Sequence, residues 1–227
     1  MEDSKWERWS ALGGILFVIL ILVAAFIPGT PPKTSDSTAK IANFINDKND
    51  EIRWAGYIGA LASVAMLWFL GAVWRVLRRA EGGSPRLTVV AVSGAIFATV
   101  MGAIGGIVLS VVAIAGVAGS GGKTGTRFMY ILSTNLAVAV VFGLAVFVAA
   151  FSAVILRTGV FPNVLGWFGA LIALVALASG GIVASTRDVF FNLSFGAFFA
   201  FSLWLLIISV MILMGRGSEQ QPAASAS

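Results

Sequence analysis

Three arginines, one aspartate and two asparagines are the residues best placed to do chemistry: Arg53, Arg127, Arg187, Asp188, Asn135 and Asn192. Each arginine stands at the start of an apolar stretch, and the two asparagines fall one or two helical turns farther in. If those ends share one side of a membrane, the guanidinium groups can hold an anionic headgroup or a small carboxylate by charge-assisted bonds, with the amides as further donors. The plainer alternative is that Asp188 pairs with an arginine and the asparagines bond between helices. Most other catalytic equipment is missing. The chain has no Cys and no His, which removes thiolate chemistry, disulfides, the usual general base and the commonest metal ligand. We therefore expect a non-enzymatic protein without cofactor or metal.

Two further motifs imitate sites. Gly122-Lys123-Thr124 has the ending of a phosphate-binding loop, but Val117 stands where the motif needs Gly, and an apolar helix precedes it in place of a strand. Asn192-Leu193-Ser194 spells a glycosylation acceptor inside an apolar stretch, where no such modification is expected. The net charge of +5 does not point to nucleic acid here. Basic loop residues set membrane orientation and touch anionic headgroups.

The elements that would position these residues are six apolar stretches: Trp9–Ile27, Trp54–Trp74, Leu87–Gly119, Phe128–Leu156, Val164–Ser185 and Val189–Met214. None contains a charged residue inside the stretch proper apart from the Arg187-Asp188 turn between the last two. A hydrocarbon core of about 30 Å takes ~20 residues of helix. With 59% hydrophobic and 11% charged residues, the chain reads as an all-α, six-span helical bundle and a single integral membrane domain over residues 1–216. The tail Gly217–Ser227 reads as disordered. The first stretch is expected to remain as a helix, since it lacks a clean small-x-small cleavage site and carries Glu2, Asp3 and Glu7 in its flank.

The first long loop begins at Pro28-Gly29-Thr30-Pro31-Pro32, which stops a helix. Ser35-Asp36-Ser37 then offers N-caps, and Ile41, Phe44, Ile45 and Ile52 recur at helical spacing. This predicts a short amphipathic helix in the first external loop, either lying on the membrane or closing the mouth of the bundle. The third stretch carries Gly94, Ala98, Gly102, Gly106 and Ser110, a small residue at every fourth position. Such a stripe lets helix backbones approach, so this helix is expected to be the most buried of the six. Gly119–Arg127 reads as a flexible loop. Ala176, Gly180 and Ala184 make a second small stripe, and the aromatics from Phe190 to Trp204 are too many to share one buried face. Thr126-Arg127 and Thr186-Arg187 hint at a duplicated hairpin.

The turn Arg157-Thr158-Gly159-Val160-Phe161-Pro162-Asn163-Val164-Leu165-Gly166-Trp167 resembles the Arg-x-Gly-x-x-Pro-x-x-Leu-Gly-Trp turn of a family of polytopic bacterial membrane proteins, actinobacterial ones especially. That family has no established activity and no catalytic residues to carry over. The resemblance implies a bacterial inner membrane.

Lys and Arg number eight on the N-terminal side (Lys5, Arg8, Arg75, Arg78, Arg79, Arg86, Arg157, Arg216) and seven on the other. The cluster Arg75–Arg86 favours cytoplasmic termini. The expected role is that of a structural or accessory envelope component. The alternative is a small transporter or a protein binding anionic lipids or small molecules at its outer mouth. The expected partners are membrane lipids, an anionic headgroup among them, and no nucleic acid.

Overall fold

Helix is the local answer wherever this chain is rich in Leu, Ala, Val and Ile without Pro, and no strand occurs among the described residues. The computed structural model describes residues 2–183 and 188–215, with side chains placed for 10–181 and 192–215. Seven α-helices follow one another: α1 Glu2–Phe26, α2 Thr38–Asp47, α3 Asn49–Glu81, α4 Arg86–Gly119, α5 Gly122–Thr158, α6 Asn163–Ser179 and α7 Asp188–Leu213. A 3-10 turn, Gly180–Val183, ends α6. The tail Gly217–Ser227 lies outside the described residues, as does the Thr186-Arg187 half of the apparent repeat.

Among the described residues four helices, not six, are long and apolar enough to cross a membrane: α3, α4, α5 and the Asn192–Leu213 part of α7. Among the described residues the apolar parts of α1 and α6 are Ser10–Phe26 and Asn163–Ser179. Seventeen residues rise about 25 Å, less than a full hydrocarbon core. In α6 the change to 3-10 geometry at Gly180 ends the apolar run.

Each long helix packs on its chain neighbour, and α1 packs on both α3 and α7, so the helices close into a ring. The closure depends on two missing side chains. A Cβ at Gly13 would stand 2.9 Å from the Ala65 carbonyl of α3, and one at Gly14 would strike Ser209 of α7 and the Phe69 ring. The core fills one end of the ring, where α3, α5 and α7 finish and α4 and α6 begin. There Trp204, Phe147, Phe151 and Phe161 are buried, and Trp204 meets the Phe151 ring edge-on at 5.1 Å. The indole Nε1 of Trp204 donates to the Leu165 carbonyl at 3.0 Å, so the Arg157–Trp167 turn is tied to the core through Phe161 and Leu165. At the same end Glu81 accepts from the backbone N–H groups of Leu87 and Thr88 and from the Thr88 hydroxyl, capping the exposed donors that open α4.

The small-residue stripe of α4 behaves differently from its sequence reading. Only 17% of the most apolar window of α4 is buried, against 50% in α3, 56% in α5 and 50% in α7, so α4 is the least buried of the four. Residues four apart advance about 400°, so such a stripe drifts ~40° around the helix at each step. Its start serves α5: a Cβ at Gly94 would lie 2.8 Å from the Gly143 carbonyl and from the Phe147 nitrogen. Its end, Gly106 and Ser110, has turned toward α3. The Gly119–Arg127 loop is also shorter than expected, since only Ser120 and Gly121 separate α4 from α5. A break inside α4 at Gly116, with φ 65° and ψ 176°, does part of the turning there. That conformation suits only glycine.

The second small stripe holds at Ala176, which is buried with Ala145 of α5 and Ala197 of α7. Ala184 lies outside the described residues. The aromatics of α7 divide as their number requires. Phe201 and Trp204 face the core, while Phe195 and Phe199 remain exposed.

Candidate functional site

At the end of the ring away from the aromatic core, the first turns of α3 pass the last turns of α4. Gly56 and Ala60 of α3 present almost no side chain there, and a Cβ at Gly56 would strike the Ser110 hydroxyl. The two helices therefore touch along small residues. Larger side chains stand up on both sides of the contact, Trp54 and Tyr57 on α3 and Ile107, Val111 and Ile114 on α4. Between them runs a groove of about 530 Å³. It opens outward from the bundle, since all five of these side chains are exposed. Trp54 and Tyr57 stack edge to face, with ring centroids 6.1 Å apart.

The groove has one polar end. Arg53 Nη1 lies 3.4 Å from Asp50 Oδ1, and both side chains are exposed to solvent. Beside it, at the start of α3, Lys48 pairs with Glu51 at 2.9 Å. Beyond Arg53 the lining is apolar except for Ser110 and the Tyr57 hydroxyl. From Asp50 to Ala60 is ten residues of α3, a rise of about 15 Å. The apolar part, Trp54 to Ala60, accounts for about 9 Å of that rise, more than half of the ~15 Å depth of one leaflet.

Helix α2 caps this same end of the bundle. Ser37 accepts from the Lys40 N–H at 3.2 Å and starts the helix. Asp36 pairs with Lys40 at 2.8 Å, and that hydrogen bond, with one from the Lys33 N–H, holds its carboxyl below the usual range. Ile41 and Ile45 are fully buried against Ile52, Val112, Ala113 and Tyr130. Of the two placements open to an amphipathic helix here, the chain adopts the one that closes the bundle. The Asn49 side-chain amide donates to the Ala113 carbonyl. That carbonyl belongs to the turn that the Gly116 break interrupts, so Asn49 replaces a helical partner.

The six residues singled out from sequence do not share one job. Arg127 is partly buried and donates to the Thr38 hydroxyl at 3.1 Å and to the Thr34 carbonyl at 3.2 Å. It fastens the α1–α2 connector to α5, helped by the Tyr130 hydroxyl, which donates to the Pro32 carbonyl. Arg53 belongs to the groove. Asn135 is exposed and donates to the Ile131 carbonyl of its own helix at 2.9 Å. Asn192 is exposed on α7. Arg187 lies outside the described residues, and Asp188 opens α7 with its side chain outside them. The sequence reading gave no site role to the groove residues Asp50, Trp54, Tyr57 and Ser110. The signal for them was Gly56-x-x-x-Ala60, a small pair in register for close packing.

No group of three or more His, Cys, Asp or Glu side chains that could hold a metal occurs among the described residues. Comparison with protein-family models, with curated proteins and with solved structures finds no match for this chain. Fold and site thus define a class only: an all-α bundle with four helices long and apolar enough to cross a membrane.

Proposed function

We propose that this chain is an integral membrane protein that crosses the bilayer six times and binds an amphiphile without catalysing a reaction. Six crossings are supported by the ring, in which α1 and α6 take part as full members beside the four longer helices. Seventeen apolar residues stand at the lower limit of about 17 for a spanning helix. The bacterial inner membrane is the setting that the Arg157–Trp167 resemblance implies. The observation that carries the binding reading is the α3–α4 groove, polar at Asp50 and Arg53 and apolar over about 9 Å beyond them. A lipid acyl chain matches its lining, the groove taking the part of the chain nearest the headgroup. A purely structural or accessory role is the alternative, and it needs no preferred lipid position.

Photocrosslinking separates the two. A phospholipid with a diazirine on one acyl chain is bound to the purified protein, irradiated, and the labelled peptides are identified. The binding reading expects label concentrated on residues 54–60 and 107–114. Equal label on the exposed face of α6, at Trp167, Leu171 and Leu174, would refute it.

A further inference from the structure

We infer that the amphiphile preferred by the α3–α4 groove carries a zwitterionic headgroup with a primary ammonium, as in an ethanolamine phospholipid. This rests on the amphiphile reading and specifies its headgroup. The polar end of the groove holds a cation and an anion side by side, Arg53 and Asp50, 3.4 Å apart. Its local charge is therefore balanced, and the adjacent Lys48–Glu51 pair is balanced as well. An anionic headgroup would gain from Arg53 and lose to Asp50. A headgroup with a phosphate and an ammonium gains from both.

The donor and acceptor inventory sharpens the match. The bond to Asp50 uses one N–H of the Arg53 guanidinium, which carries five, and those left over suit phosphate oxygens. Asp50 is 84% exposed, so its second oxygen can accept from an ammonium N–H. A quaternary ammonium has no N–H to give. It has one attraction to offer in return, the faces of Trp54 and Tyr57, which makes the choline headgroup the fitting competitor. Trp54 stands one residue beyond Arg53, where the polar end of the groove gives way to its apolar length, so the charged pair sits at headgroup depth when the acyl chain fills the groove.

The test uses the full chain in detergent with equimolar ethanolamine, choline and glycerol phospholipids of identical acyl chains, read by native mass spectrometry. The wild type is expected to retain the ethanolamine lipid several-fold over the other two. Asp50→Asn, an isosteric change at an exposed position, is expected to erase its advantage over the choline lipid. Arg53→Gln is expected to lower all three. Ala60→Phe, which fills the groove from an exposed position, is expected to remove most retention whatever the headgroup. Preference for the glycerol lipid, or an unchanged ethanolamine advantage in Asp50→Asn, overturns the headgroup inference while leaving the groove intact. Undiminished retention of all three lipids in Ala60→Phe overturns the inference and the amphiphile reading together.

Discussion

Gly94 and Gly106 belong to the same stripe of α4, yet alanine at the two positions should have opposite effects. A methyl group on Gly94 would lie 2.8 Å from the Gly143 carbonyl oxygen, the Phe147 nitrogen being equally near, and both are backbone atoms that cannot rotate away. Ordinary contact begins at 3.4 Å, so α4 and α5 must part by about 0.6 Å at that point. A gap of ~0.5–1 Å forfeits a quarter to a half of each dispersion contact along the seam, and overpacking of this kind costs about 1–3 kcal/mol. At Gly106 a methyl group would meet nothing within 4 Å. Both substitutions gain the same helix propensity, about 1 kcal/mol, so that contribution cancels when the two variants are compared. The difference is the packing cost alone. At ~2–4 °C per kcal/mol for a chain of this size, Gly94→Ala should melt about 2–12 °C below Gly106→Ala. Thermal unfolding in one detergent, followed by tryptophan fluorescence, measures it. Gly94→Ala/Gly143→Ala should then lose less than the sum of its parts, because the first methyl already opens the seam for the second. Equal melting of Gly94→Ala and Gly106→Ala would refute the close α4–α5 approach and the drift of the stripe with it.

Two other expectations concern the cap and the topology. Arg127→Ala removes both bonds that hold Thr34 and Thr38, a loss of about 1–3 kcal/mol. Amide exchange over residues 33–47 should speed up about tenfold or more while residues 200–212 keep their protection, and unchanged exchange in the cap would count against the clamp. A reporter joined after Gly215 should behave as cytoplasmic and one inserted beside Lys123 as external, which follows from the Arg75–Arg86 cluster together with the six proposed crossings; the reverse pattern would overturn the orientation.

The helices were legible where a single helix carried its own signal. Ser37, Ile41 and Ile45 announce α2 by cap and period, and both features hold. The limits of α3 were not legible. Its ends, Asn49–Arg53 and Arg75–Glu81, are charged and look like loop, while the helix continues because those charges suit its dipole, acidic at the start and basic at the finish. The stripe of α4 showed that backbones would meet but not which ones, because a four-residue repeat rotates off any one neighbour. The groove was hidden for the same reason. Gly56 and Ser110 are 54 positions apart, and only packing reveals that one makes room for the other. Arg127 was singled out as a contact for an anionic headgroup or small acid, while the structure gives it partners in the chain's own connector, Thr34 and Thr38, which periodicity and charge counting do not identify.

The closed ring of helices also sets the order in which the protein can be assembled. As the chain emerges, α4 meets α3, α5 meets α4 and α6 meets α5, each finding a neighbour already made. Helix α1 is the exception. Its flat face at Gly13 and Gly14 can dock on α3 early, but the side that takes Ser209 stays uncovered until α7, the last helix, has been synthesised. The contact joining first helix to last thus has the longest loop to close. It turns a row of sequentially paired helices into a closed ring, and a chain cut short before α7 would leave the Gly14 side of α1 without its Ser209 neighbour.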